Sequence, residues 1–172
     1  MPNSDKARKK PSAFDNLIVD ALKADEGRAS GVFVSAHPEV WADVKIEEEK
    51  QIYRVHYWDV IRGDEVNQIS QKLALSMFDW AVHTGPQRSI VFLQRCLGID
   101  PAIGKFARLT MKALQQYEDK DELVTLYNKM RDDYYAKLVS GNAARYGAYK
   151  RDWKNRMTAL RRRLGEIKRL DS

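Results

Sequence analysis

Cysteine is nearly absent from this chain. Cys96 stands alone among 172 residues, so no internal disulfide can form and folding in a reducing compartment fits. Cys96 lies on an apolar helical face, which reads as a buried structural thiol rather than a nucleophile. Histidine is equally sparse: His37, His56 and His83 are too scattered to suggest a metal-ligand cluster, and no cofactor is expected. Long apolar runs are missing too. The most apolar stretch, 69–82, falls well short of the roughly 20 residues that a membrane span needs. The charged N-terminus carries no apolar signal region, so the chain reads as one made in the cytoplasm without a signal peptide. Acids are outnumbered, 24 against 30 Lys and Arg, and the formal charge is +6. That balance favours polyanions, whether nucleic acid, anionic lipid or an anionic cell-wall polymer, and does not choose among them.

What is present is an ordinary globular composition, 44% hydrophobic and 31% charged. Its length suits one domain able to bury a core without staples. The segment 69–82 is apolar on two faces. Ile69, Leu73, Met77 and Trp80 occupy one, and Leu75, Phe78 and Val82 the other, which is the pattern of a buried helix. Gly85-Pro86 stops it, and Ile90, Leu93, Cys96 and Leu97 begin a second amphipathic helix. Before this core helix the chain predicts a basic tail at 1–12 and an amphipathic helix at 13–24. A short β-like excursion near 31–35 and a helix from 46 to 58 follow. After it come a loop at 98–104 and helices over 105–117, 121–139 and 150–170. The expected fold is all-α around a buried central helix, with that one β excursion.

Several residues can carry chemistry. Glu26, at a helix end beside Gly27, can lie on a cleft floor with a raised pKa and donate a proton, or can be an exposed terminal acid. Tyr53, Tyr57 and Trp58 form an aromatic group that stacks on sugars or bases, or belongs to the core. Asp79, an acid inside the central helix, needs a partner if buried. It reads either as a catalytic acid or as an ion-pair partner of Arg54 or Arg62. His83 can line a cleft or cap its helix. The basic run Arg161-Arg162-Arg163 is a solvated face or a polyanion contact.

The segments in order resemble a known family. IleTyrArgValHisTyrTrp (52–58) is similar to an Ile-Tyr-x-x-x-Tyr-Trp helix, and PheAspTrpAlaValHisThrGly (78–85) to a Phe-Asp-x-Ala-x-x-x-Gly segment. LeuGlnArgCysLeuGly (93–98) is similar to Leu-Gln-x-x-Leu-Gly. Asp100 with Ile103-Gly104 resembles an Asp-Gly-x-Ile-Gly loop. Arg131, Tyr134, Tyr135, Trp153 and Arg156 resemble the closing helices. The family is glycoside hydrolase family 108, phage and bacterial N-acetylmuramidases whose C-terminal half is described as peptidoglycan-binding. The resemblance implies a lysozyme-like domain, with 13–98 as the catalytic-type region and 99–172 as the peptidoglycan-binding part packed against it.

The resemblance also implies that Glu26 is the catalytic general acid, since Glu26-Gly27-Arg28 matches the family's Glu-Gly-Gly. The long Asp- and Gly-rich loop that follows in the family is largely missing here, where Ala29-Ser30-Gly31-Val32-Phe33 comes almost at once. A glycosidase needs a second group, and Ser30, Ser35 and Asp43 are its candidates. The implied activity is hydrolysis of the MurNAc-GlcNAc bond, with Tyr53, Tyr57, Trp58 and His83 binding glycan and no metal. The implied partners are peptidoglycan and, for a virion-borne form, other phage or virion proteins. The site of action is the cell wall or periplasm after release, or the virion. The rival reading is a non-catalytic wall-binding or virion structural protein descended from this family. A nucleic-acid-binding helical protein is a third, resting on charge alone.

Overall fold

The computed structural model describes Phe14 and residues 46–170, and the chain divides between Lys50 and Gln51 into two compact units. The expectations for the tail, the first helix, the 31–35 excursion, Glu26, Ser30, Ser35 and Asp43 all lie outside the described residues. Within them the fold is all-α. Helix α1 (Ile46–Tyr53) passes into a π-helical turn, Arg54–Trp58, followed by α2 (Gly63–Ile69), α3 (Gln71–Thr84) and α4 (Pro86–Cys96). After a loop come α5 (Arg108–Gln116), α6 (Lys120–Gly141), the short α7 (Ala143–Tyr146), a 3-10 turn at Gly147–Tyr149 and α8 (Lys150–Leu170). Among the described residues no strand occurs, and no helix is long and apolar enough to cross a membrane.

The central helix is α3, as its two-faced apolar pattern requires. Leu73, Ala74, Leu75, Ser76, Met77, Phe78, Trp80 and Ala81 are all buried, because α2, α4, α6 and α8 pack around it. Its start differs from the sequence reading. Ile69 ends α2, and Ser70 is extended (φ −155°, ψ 109°), so the chain breaks there. The Ser70 side chain accepts a hydrogen bond from the Leu73 amide (3.2 Å), satisfying one of the donors that a helix start leaves open. At the other end Gly85 takes φ 93°, a conformation open to glycine, and Pro86 stands in the first turn of α4 where its missing N–H costs nothing.

Polar groups inside the bundle are satisfied across helices. Ser89 of α4 donates to the Met77 carbonyl (2.8 Å) and lies 2.8 Å from the Tyr127 hydroxyl of α6. That hydroxyl also reaches the Ser89 carbonyl, and Asn128 donates to Ser76 Oγ at 3.0 Å. α6 buries Leu123, Val124, Tyr127, Asn128, Arg131 and Tyr135, a stripe at spacings of four. Met130, Tyr134 and Leu138, beside that stripe, are only half-buried. Helix α8 keeps its expected bounds and buries Met157, Leu160 and Ile167. Residues 51–98 and 99–170 lie in one and the same compact unit.

Candidate functional site

The aromatic group at 53–58 is laid out by the π turn. The Asp59 amide reaches back to the Arg54 carbonyl (2.8 Å), one residue further than an α-helix allows, which re-aims the side chains of this turn. Trp58 is buried completely, its indole edge-on to Phe78 of α3 at 5.7 Å between centroids. Its Nε1 donates to Asp64 Oδ1 (2.9 Å), so the polar atom of the ring is satisfied within the fold. Gly63 lies directly against this indole, where an added Cβ would fall 2.2 Å from a ring carbon. Tyr53 is 3% exposed and packs 6.4 Å from Phe78 and 5.9 Å from Tyr57. Tyr57 keeps part of its surface exposed, and burial of the rest raises its phenol pKa.

Asp79 is the electrostatic centre of the unit. Its carboxylate accepts from Arg131 Nη2 (2.6 Å) and from Arg156 Nε and Nη2 (3.2 and 3.1 Å), and Arg156 Nη2 also reaches the Asp79 carbonyl (3.3 Å). One acid thus ties α3 to both α6 and α8. The sequence reading offered Arg54 or Arg62 as its partner, and that is corrected here. Arg54 pairs with Asp59 and Asp64, and Arg62 with Glu65. Burial by itself would raise the Asp79 pKa, but Arg156 and Arg131 outweigh it and hold the carboxyl well below the usual carboxylate range. An acid ionised this firmly cannot donate a proton near neutral pH, so the general-acid reading of Asp79 lapses.

Around the triad lies an aromatic cluster. Arg131, with no exposed side-chain surface, sits 4.7 Å above the Trp80 ring. Trp80 meets Phe92, Tyr134, Tyr135 and His83 at 5.3 to 5.9 Å. Tyr135 stacks on Trp153 of α8 at 4.8 Å. His83, in the last turn of α3, is half-buried between Trp80 and Tyr135, and its Nδ1 finds no hydrogen-bond partner among the described residues. Burial, reinforced by Arg156 and opposed by Asp79, lowers its pKa to about 4. His83 is therefore a neutral imidazole at neutral pH, able to accept or donate one hydrogen bond but not to carry charge. Cys96 is buried, and burial pushes its thiol up to about 12, which suits packing rather than nucleophilic chemistry.

Two surface hollows lie among the described residues. One, about 490 Å³, runs between α6 and α8 and is lined by Val139, Met157 and Trp153 together with Lys150, Lys154 and Arg161. The other, about 840 Å³, lies where α2 meets α3 and the start of α6, and is lined by Glu118, Asp119, Asp121 and Lys72. Among the described residues no group of His, Cys, Asp and Glu could hold a metal ion.

The residues that sequence reasoning missed as a unit are Asp79, Arg131 and Arg156. Each was visible singly, as part of a family-like segment. The usable signal was an arginine four residues after Tyr127 on the face that must be buried, with a lone acid in the core helix to match.

Comparison with known proteins agrees with this picture. Residues 19–85 match the family model described as Glycosyl hydrolase 108, a span that includes Glu26, the aromatic group, Asp79 and the Gly85 stop. No curated protein sequence matches the chain. Among solved structures, "Structure of Brucella abortus SagA" resembles it with a TM-score of 0.61 and 24% identity, over 74% of this chain and 67% of that one, a likeness of fold. The resemblance first carried by scattered motifs is borne out over residues 19–85, the span that is similar to the family 108 glycosyl hydrolase model.

Proposed function

We propose that this chain is a peptidoglycan-degrading N-acetylmuramidase in which Glu26 protonates the leaving oxygen of the MurNAc-GlcNAc bond. The observation that supports the reading is the family match across 19–85, a span within which the Glu26-Gly27 pair falls. A protonated carboxyl at the scissile oxygen lets the sugar leave as an oxocarbenium-like species, and a second group or a held water completes hydrolysis. Asp79 supports the frame without entering the chemistry, since both its oxygens are taken by arginines. Of the candidate glycan contacts, Tyr57 and His83 retain surface for a sugar, while Tyr53 and Trp58 work from beneath as packing. The net charge of +6 favours approach to the anionic cell wall. Acting there, or on a virion, requires a route out of the cytoplasm.

The test compares glycan release from purified sacculi by the wild-type protein and by Glu26→Gln. A catalytic acid predicts a loss on the order of 10²- to 10⁴-fold, and activity that survives the substitution refutes the assignment. A second reading is favoured by one observation, Arg28 in place of glycine with the following loop shortened. It is a non-catalytic wall-binding or virion protein. It requires that neither protein releases glycan while both sediment with sacculi.

A further inference from the structure

The loop after α4 and the exposed face of α5, within the part that the resemblance assigns to peptidoglycan binding, form an edge of mixed aliphatic and basic character. We propose that this edge, carrying Ile103, Lys105, Arg108, Leu109 and Lys112, docks the protein onto an anionic lipid bilayer. Leu109 (63%) and Ile103 (57%) are the two most exposed large aliphatic residues among those described. Exposing both costs free energy unless something covers them.

The backbone beside each of them is held by one side chain. The buried amide of Gln94 donates to the Lys105 carbonyl (2.9 Å) and to Thr110 Oγ1 (3.0 Å), and accepts from the Gly104 amide (2.9 Å). One side chain therefore gathers residues 104, 105 and 110, and Ile103 and Leu109 each precede a gathered residue. Gly104 (φ 75°) lets the loop close on α4, where a Cβ would fall 2.9 Å from the Gln87 carbonyl. The edge is held before any partner arrives.

Charge selects the partner. α5 buries Thr110 and Leu114, so Arg108, Leu109 and Lys112 fall on the opposite, outward face. Lys105, Arg108 and Lys112 make no ion pair among the described residues, and no Asp or Glu occurs from Pro101 to Tyr117. Glu65, near the edge through Arg62 over Phe106, is itself bonded to Arg62. A phosphate-bearing polymer would use the cations and ignore the aliphatic residues. A bilayer uses both, phosphate headgroups meeting the cations and the acyl boundary receiving Ile103 and Leu109.

The experiment is vesicle sedimentation of the full chain with mixed phosphatidylglycerol–phosphatidylcholine vesicles against pure phosphatidylcholine. Binding is expected only to the anionic vesicles. Lys105→Gln/Arg108→Gln/Lys112→Gln should weaken it on the order of a hundred-fold, about five-fold for each cation. Ile103→Ser/Leu109→Ser, at exposed positions that leave the fold intact by circular dichroism, should also weaken it by at least roughly ten-fold. Three glutamines at Lys150, Lys154 and Arg162 of α8 should weaken it far less. No binding, equal loss from the α8 substitutions, or indifference to the aliphatic pair would each overturn the proposal, the last marking a polyanion surface.

Discussion

Replacing Asp79 by Asn should cost this protein more stability than its size suggests. The substitution keeps the shape of the side chain and removes its charge. Arg131 then remains fully buried, with a neutral amide where a carboxylate stood at 2.6 Å. Arg156 keeps a quarter of its side chain in solvent and can turn toward water, so the cost concentrates on Arg131. Removing one partner of a buried ion pair typically costs about 3–5 kcal/mol. One amide oxygen still accepts here, and about 3 kcal/mol is the better expectation. Against a total of about 5–15 kcal/mol that is a large share. At roughly 2–4 °C per kcal/mol it should lower Tm by about 6–12 °C.

The assay is urea and thermal denaturation followed by circular dichroism. The double variant Asp79→Asn/Arg131→Met should recover part of the loss, because the stranded charge leaves with its partner. The pH dependence has a definite sign. The folded carboxyl lies below its ordinary 3.8, so its contribution is complete above about pH 4 and is lost as pH falls toward the depressed value. The difference between wild type and Asp79→Asn should hold steady from pH 5 to 8 and narrow only below about 4. A loss under about 1 kcal/mol, or a double variant no better than the single, refutes the account.

His83 gives a second handle of the same sign, in a higher pH window. Its folded pKa is about 4 against an ordinary 6.5, so the unfolded chain binds the proton more readily. Stability should fall as pH drops from 6.5 to 4 and level off below, and His83→Gln should remove on the order of 2–3 kcal/mol of that slope in urea midpoints. Gly63→Ala should drive a Cβ into the Trp58 ring at 2.2 Å; about 2–3 kcal/mol of destabilisation and a shifted tryptophan emission are expected. Cys96 should resist a thiol reagent at pH 8 in the native protein and react once unfolding exposes it. Modification at the rate of a free thiol would contradict its burial.

The helices were legible because their cause is local. The apolar pattern of the central segment, the Gly85-Pro86 stop and the spacing along α8 each act within a few residues, and each stands where the pattern put it. The break at Ser70 was equally local, yet the polar stretch before it carries no apolar period to announce α2. Ile69, apolar and in phase with Leu73, was then assigned to the wrong helix. The site was less legible. Trp58 and Tyr57 sit one position apart in an aromatic run, and only the π turn and the fit of an indole against Gly63 bury one while leaving the other in contact with solvent. Periodicity states which positions must leave water. It does not state what they meet there. Asp79 needed a cation on sequence grounds alone, and Arg54 and Arg62 were near at hand. Its partners come instead from 52 and 77 residues further along. Only the packing of α6 and α8 on α3 brings those guanidinium groups within reach of the carboxylate, because the energy that pairs buried charges depends on distance through the protein and not along the chain.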